Sequence, residues 1–438
     1  MEGERKTIYL CLAHMSEEGY EQKYIKEAFD TNWVVPLGPN VNAFEQSLKE
    51  FVGENKEVVA LSAGTAAIHL ALLACGVGNG DEVVVQSFTF CASSHPITYL
   101  GAKPVFVDSE PHSWNMDPVL LEEAIKDRIA KTGRKPKAIV PVALYGMPYD
   151  CTRIMEVAEK YQIPVIEDAA EGFGSRWNGR VLGSFGKFGV LSFNGNKMIT
   201  TSGGGALICN DIESKNNIMW YATQARDAYP YYQHTAIGYN YRMSNICAGI
   251  GRGQMLVADK HIEHHKHVQA LYRELLKDVP GVTLHEAPSP EYDSNFWLCT
   301  AVIDANLRIK GQENAYKEVV KTAVGGAGGV IHEVKEATTD CQPNDNVEAL
   351  RMFMLDKKVE ARPVWKPMHK QPVYNEGYTL TTENALFRCF EGPKSVAYVS
   401  RDEVSENIFK VGVCLPAGPC VSDDDVRYIV DCIKEAIL

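Results

Sequence analysis

Three short segments carry side chains whose types and spacing could do chemistry together. In Leu61-Ser62-Ala63-Gly64-Thr65-Ala66-Ala67-Ile68-His69-Leu70 a small polar turn runs directly into an apolar helix. Exposed N–H groups at such a helix start, with the Thr65 hydroxyl, make an anion site suited to a phosphate; a plain helix cap is the other use of the same residues. In Ile163-Pro164-Val165-Ile166-Glu167-Asp168-Ala169-Ala170 a buried apolar strand ends in two acids. A carboxylate in that position can hold a charged heterocyclic nitrogen, and α/β enzymes also place such an Asp on a metal or a ribose. In the run from Leu191 to Gly205, Lys197 sits just past a strand end, with no acid between Gly183 and Asn210 to pair with it. Such a lysine is suited to a depressed pKa and to Schiff-base chemistry. Lys187 precedes the same strand and therefore belongs at the opposite edge of the sheet.

The elements that must position these groups follow from the apolar pattern. Short β-branched runs at Glu82 to Gln86, Pro104 to Val107, Ala138 to Ala143, Pro164 to Ile166, Val190 to Phe193 and Ala206 to Cys209 alternate with helical stretches. That alternation predicts an α/β fold with a mostly parallel sheet covered by helices on both faces, which binds ligands outside the carboxyl ends of its strands. A long helical pattern from about Met243 to Leu275 follows, then a smaller α+β segment ending in a helix from about Asp423 to Ile437. The expected division is a large domain over 1–275, with an N-terminal arm, and a small one over 276–438. Within the latter, 308–346 reads as an insertion holding the glycine tract Gly325 to Gly329.

Composition excludes several classes. The chain has 438 residues, 44 basic against 56 acidic, a net charge of −12, 45% hydrophobic and 23% charged residues. These values describe a globular chain with a full core, not a disordered one. An acidic balance argues against a nucleic-acid or anionic-membrane partner. The apolar run from Ile8 to Ala13 is too short for a signal-peptide core, and polar residues and glycines interrupt the charge-free stretch from Val58 to Gly80, so no membrane span is expected. Twelve scattered cysteines without a C-x-x-C pair suggest neither a zinc ribbon nor a disulfide framework, and the expected compartment is the reducing cytoplasm. Gly76, Gly78 and Gly80 do not make a dinucleotide fingerprint, and G-x-S-x-G and H-E-x-x-H are absent. His261, His264 and His265 share one helical face, but a solvated polar face is the expected reading and no metal is expected.

A phosphate cup, a carboxylate for a ring nitrogen and an imine-forming lysine are together what pyridoxal 5′-phosphate requires. S-A-G-T-A-A-I-H-L-A-L, P-V-I-E-D-A-A-E-G-F-G-S, S-F-N-G-N-K-M-I-T-T-S-G-G-G and G-Y-N-Y-R-M-S-N resemble the DegT/DnrJ/EryC1/StrS family of fold-type I nucleotide-sugar aminotransferases. The resemblance implies that Lys197 is the imine-forming lysine and proton shuttle, and that Asp168 keeps the pyridine nitrogen protonated. It also implies that Phe90 stacks on the ring and that Gly64, Thr65 and Ser192 hold the phosphate. Asn240 matches a residue that reaches the phosphate of the neighbouring subunit, which implies a homodimer with shared active sites. Glu171 stands where many relatives have Gln, so an acid facing the cofactor's phenolic oxygen must itself be protonated or raise that oxygen's proton affinity. Lys187 stands where the family pattern has an acid.

Within the family, K-x-x-T-T-S-G-G-G resembles enzymes acting at C4 of a 4-keto-6-deoxy sugar. N-W-V-V-P-L-G-P-N-V-N-A-F-E and E-A-R-P-V-W-K-P-M-H-K-Q-P-V-Y are similar to the members that form UDP-N-acetylbacillosamine. The implied substrates are UDP-2-acetamido-2,6-dideoxy-α-D-xylo-hexos-4-ulose and L-glutamate, with Lys366 and His369 in the sugar-nucleotide pocket and Arg362 equally suited to a structural salt bridge. The alternatives are a C3-acting aminotransferase, a sugar dehydratase using the same cofactor, and a non-enzymatic regulator. Lys197 argues against the dehydratases that carry histidine there.

Overall fold

The computed structural model describes residues 5–53, 55–316 and 341–438; the Gly325 to Gly329 tract and most of the 308–346 insertion lie outside them. After the N-terminal arm come α1 (Tyr20–Asp30) and α2 (Pro39–Val52), then β1 (Glu57–Leu61), α3 (Gly64–Ala74), β2 (Glu82–Gln86), α4 (His95–Tyr99), β3 (Lys103–Val107) and α5 (Pro118–Thr132). Next are β4 (Ile139–Val140), α6 (Cys151–Tyr161), β5 (Ile166–Asp168), the short β6 (Arg176–Trp177) and β7 (Arg180–Val181), β8 (Phe188–Ser192), β9 (Gly205–Cys209) and α7 (Ile212–Ala222). Valines 83, 84 and 85 of β2 are fully buried. A side chain of that size gains about 1.5–3 kcal/mol on leaving water, which is why a continuous apolar run settles inside a sheet covered on both faces.

Strand order explains the site. One group runs β1-β9-β8-β5, and bridges Ile139 to Val165 and Val142 to Asp168 join β5 to β4, which continues into β2 and β3. β5 is parallel to β8, and β4, β2 and β3 run parallel to one another, while β9 is antiparallel to both β1 and β8. The sheet is therefore mixed around β9 and parallel from β8 through β5, β4 and β2 to β3. The run from Ala138 to Ala143 forms a strand only over Ile139–Val140. Pro141 lacks an N–H for a ladder, which limits the strand.

The helical stretch near 243–275 is two helices, α8 (Asn245–Met255) and α9 (Ala258–Leu276), broken at Leu256 and Val257. On α9 the expected solvated histidine face is corrected: His261 and His265 are buried, each donating through Nδ1 to a backbone carbonyl, that of Met198 at 3.2 Å and that of Phe296 at 3.1 Å. Packing against the lysine loop and the 294–297 turn, which local sequence does not contain, decides that burial.

The second segment holds β10 (Val282–Leu284), β11 (Tyr292–Asp293) paired with β6, β12 (Cys299–Ile303), α10 (Asp345–Asp356) and β13 (Arg362–Pro363). Then follow α11 (Pro372–Asn375), β14 (Thr379–Glu383), β15 (Phe387–Glu391), β16 (Val396–Ser400), α12 (Val404–Val411), β17 (Gly412–Leu415) and α13 (Asp423–Ala436). A separate sheet, β10-β12-β17-β13, packs with α9, α10 and α13 around a second core. The boundary drawn at 275 does not hold for residues 379–400. β16 adds parallel to β3 and carries β15 and β14 outward, so these strands extend the large sheet. Val396, Ala397, Tyr398 and Val399 are all buried, a both-face burial that only a neighbouring strand and helix can supply. The N-terminal arm also crosses over: Ile8 bridges Val359 in the second segment. Among the described residues no helix is long and apolar enough to cross a membrane.

Candidate active site

The carboxyl ends of β1, β8, β5, β4 and β2 share one edge of the sheet, because β9 runs opposite to its two neighbours and the rest are parallel. Gly64 and Thr65 follow β1, Lys197 follows β8, Asp168 ends β5, Tyr145 lies beyond β4, and Phe90 and Ser93 lie beyond β2. Lys187, at the opposite end of β8, is exposed and remote from them. The two expected ends of the sheet are thus the observed ones.

No side chain caps α3, whose N-cap is Ala63, so the plain-cap use of this turn is not taken. Its first turn is pressed against two strands. A Cβ at Gly64 would meet the Ser192 Cβ at 3.0 Å, and one at Gly205 would sit 2.4 Å from the Gly64 nitrogen. Both glycines are required for that close approach, which leaves uncapped N–H groups beside the Ser192 hydroxyl, an arrangement suited to an anion.

Asp168 is buried, and burial pushes its carboxyl up from the usual 3.8, while the Ser93 hydroxyl, the Ala170 N–H and the Lys197 charge pull it back. The Ser93 Oγ donates to Oδ2 at 2.6 Å and the Ala170 N–H to Oδ1 at 3.2 Å. Each oxygen keeps acceptor capacity for a further N–H.

Lys197 Nζ lies 4.2 Å from the centre of the Trp297 ring and 3.4 Å from Glu171 Oε1. Local sequence around Lys197 contains no acid, so it read as unpaired; the fold brings Glu171 to it from the turn after β5. Burial raises the Glu171 carboxyl to about 7, against the lowering effect of Lys197 and of the Tyr145 N–H, which donates to Oε2 at 2.7 Å. A carboxyl poised there can carry a proton at neutral pH, which meets the requirement set by an acid in place of Gln.

Phe90 is half exposed, with its ring 5.4 Å from that of Trp365, and Trp365 lies 5.1 Å from the Tyr145 ring. Lys366, next to Trp365, is half-buried, and Asn240 is exposed on the segment whose Tyr241 carbonyl accepts the Ser62 N–H. His369 departs from expectation. It is buried, with Nδ1 2.6 Å from the Ser87 Oγ and Nε2 3.0 Å from Glu406 Oε1, so both ring nitrogens are used inside the protein. It ties the loop after β2 to α12 and has no atom left for a substrate. Arg362 pairs with Glu360 at 2.6 Å.

Sequence reading passed over Thr89, Ser93, Tyr145, Asn295, Trp297 and Trp365. Ser93 stands three residues after Phe90 and Trp365 directly before Lys366, so polar and aromatic neighbours of the chosen residues were the signal. Tyr145 gave none: its φ of 54° is left-handed, unusual for a tyrosine, and aims its N–H at Glu171. Asn295 donates to the carbonyls of Glu171 and Phe173 at 2.8 and 2.9 Å, fixing the turn that carries Glu171.

The profile of the DegT/DnrJ/EryC1/StrS aminotransferase family matches residues 15–325. The chain belongs to that family. EpsN of Bacillus subtilis (strain 168), which carries the name of a pyridoxal phosphate-dependent aminotransferase, is 41% identical over 429 residues, covering 97% of this chain and 95% of EpsN. GDP-perosamine synthase of Escherichia coli O157:H7 is 32% identical, covering 98% of each chain. A crystal structure of a DegT DnrJ EryC1 StrS aminotransferase from Brucella abortus superposes with a TM-score of 0.76 at 25% identity, covering 95% of each chain. The protein is accordingly a fold-type I, pyridoxal phosphate-dependent nucleotide-sugar aminotransferase. The residues present fit that cofactor: an uncapped helix start beside Ser192 for the phosphate, a buried carboxylate with free acceptor capacity, and a lysine between an aromatic face and an acid. In this aminotransferase the residues that would hold the cofactor's two ends come from different strands of one sheet edge.

Proposed function

We propose that this aminotransferase moves the amino group of L-glutamate to C4 of a nucleotide-linked 4-keto-6-deoxy sugar, with UDP-2-acetamido-2,6-dideoxy-α-D-xylo-hexos-4-ulose as acceptor. The observation that carries the chemistry is the Lys197 ammonium held 3.4 Å from a carboxyl whose affinity for a proton lies near neutrality. Bound, the cofactor supplies an electron-withdrawing ring that stores the amino group between two half-reactions. Asp168 would hold the ring nitrogen, Gly64, Thr65 and Ser192 the phosphate, and Phe90 one face of the ring. Lys197 Nζ takes a proton from the donor's α-carbon and returns one to the sugar's C4, with the Glu171 carboxyl beside it as a proton partner. Trp297 covers one side of Nζ and limits access of water.

The C4 assignment rests on the K-x-x-T-T-S-G-G-G sequence after the lysine, and Lys366 supplies a cation for the nucleotide diphosphate. A homodimer accounts for the exposed Tyr229, Tyr231, Tyr232 and Ile237, large apolar groups on the same segment as Asn240. The test is spectroscopic. L-glutamate should remove the absorbance band of the lysine-linked cofactor, and the UDP-linked 4-keto sugar should restore it. Restoration by a 3-keto sugar nucleotide alone would overturn the C4 reading; restoration by GDP-linked sugars alone, the alternative raised by the name of the 32% identical relative, would overturn the uridine assignment.

A further inference from the structure

The turn that follows β2 places two hydroxyls in single file behind Asp168. Thr89 and Ser93 are completely buried. Their oxygens lie 2.8 Å apart, and the Ser93 Oγ is 2.6 Å from Asp168 Oδ2. Direction follows from counting hydrogens. An ionised carboxylate only accepts, so the single Ser93 hydrogen goes to Oδ2; the Ser93 oxygen must then accept from Thr89. A hydroxyl that is itself accepting a hydrogen bond is a stronger donor, so the second hydroxyl reinforces the first.

We propose that Thr89 and Ser93 form a relay that positions Asp168 and keeps the shared proton on the cofactor's ring nitrogen. The proposal rests on the reading that Asp168 holds that nitrogen. In a dry site a carboxylate and a pyridinium tend to collapse to the neutral pair, with the proton on the carboxyl, because burial disfavours both charges. A donor to the carboxylate opposes the collapse by favouring the anion. The Ala170 N–H does the same at Oδ1, but at 3.2 Å it is the longer contact. The proton stays on the ring as long as Ser93 donates, and the ring stays electron-withdrawing. Thr89 and Ser93 are buried behind Asp168, act through it and are positioning residues.

The test uses pyridoxal phosphate labelled with ¹⁵N at the ring nitrogen, loaded into the full chain, whose chemical shift reports ring protonation directly. Apoprotein affinity for the cofactor is measured alongside. Ser93→Ala should move the shift towards the unprotonated value and weaken cofactor binding by roughly tenfold or more, as expected for loss of a hydrogen bond to a charged group. Thr89→Val, which keeps the shape and removes the second hydroxyl, should move the shift the same way by less. The double variant should match Ser93→Ala, since Thr89 acts only through Ser93. An unchanged shift in folded Ser93→Ala overturns the relay, as does a double variant in which the two effects add. Should Ser93→Ala fail to fold, an unchanged shift in Thr89→Val overturns it equally. Asp168→Asn separates the two layers: if it leaves the shift unaltered, the assignment of Asp168 to the ring nitrogen is wrong. If it moves the shift and Ser93→Ala does not, only the relay is wrong.

Discussion

Glu171 beside Lys197 and Glu406 beside His369 are both buried glutamates facing a basic side chain, yet their carboxyls move in opposite directions from the usual 4.5. Burial pushes both up. At Glu406 the His369 ring at 3.0 Å and the Lys370 ammonium at 3.1 Å more than offset it and bring the carboxyl down to about 2. Glu171 has one cation, at a looser 3.4 Å, and stays near 7. The first cluster is closed: every donor and acceptor of His369 is used, and the group joins the loop after β2 to α12. The second is left under-compensated, and groups held between protonation states are the ones that can exchange protons with a substrate. What separates the two is the deeper burial of Glu171 with Asp168 nearby, against a second cation at Glu406.

The largest effect is expected at Lys197. Lys197→Ala should lower amino transfer by about 10³–10⁴-fold, measured as formation of the amino-sugar nucleotide, while the thermal midpoint changes little. Activity within tenfold of the parent would remove Lys197 from the chemistry. At the closed end the effects should reverse. His369→Ala removes a buried hydrogen-bond partner from Ser87 and from Glu406, which keeps only Lys370, and should cost about 2–4 kcal/mol in urea unfolding, with KM for the sugar nucleotide nearly unchanged. A large rise in KM at unaltered stability would return His369 to the substrate pocket.

Substitution of Glu171 should have a smaller effect. Glu171→Gln should slow turnover by roughly tenfold and remove the limb near pH 7 that the raised Glu171 carboxyl predicts for the parent's rate–pH profile. A limb that persists in the variant belongs to another group. The smallest effect is in stability against pH. A carboxyl raised in the fold, such as Glu171, contributes stability that is complete below the unfolded value and fades as pH rises through about 7. One lowered in the fold, such as Glu406, contributes above the unfolded value, and that contribution is lost as pH falls through about 2. The stability gap between the parent and Glu406→Gln, about 1–2 kcal/mol after solvent screening, should therefore be present at neutral pH and close on acidification. The gap between the parent and Glu171→Gln should change with the opposite slope.

Legibility in the sequence followed the range of the interaction. The strand runs at Glu82 to Gln86 and Ala206 to Cys209 were readable because a strand buried on both faces needs a continuous apolar centre, and both appear within a residue of the expected bounds. The opposed placing of Lys197 and Lys187 followed from their positions after and before one strand. The histidine face of α9 was misread because its partners are the 198 and 296 carbonyls, and His369 because Ser87 is 282 residues away. The addition of β16 to β3 was equally hidden, since an apolar run names a strand without naming its neighbour.

By itself the sequence determined the α/β class, the order of the phosphate turn, the acid and the lysine, and the family motifs that mark a pyridoxal phosphate-dependent aminotransferase. These depend on local pattern, on hydrophobic periodicity and small residues at strand ends, which the chain writes contiguously. Only the tertiary structure decided which glutamate faces Lys197, that Ser93 and Thr89 stand behind Asp168, that Tyr145 turns its N–H inward, and that His369 is consumed by Ser87 and Glu406. Those are matters of burial and partner count between distant segments, and the proton affinity of a side chain depends on both.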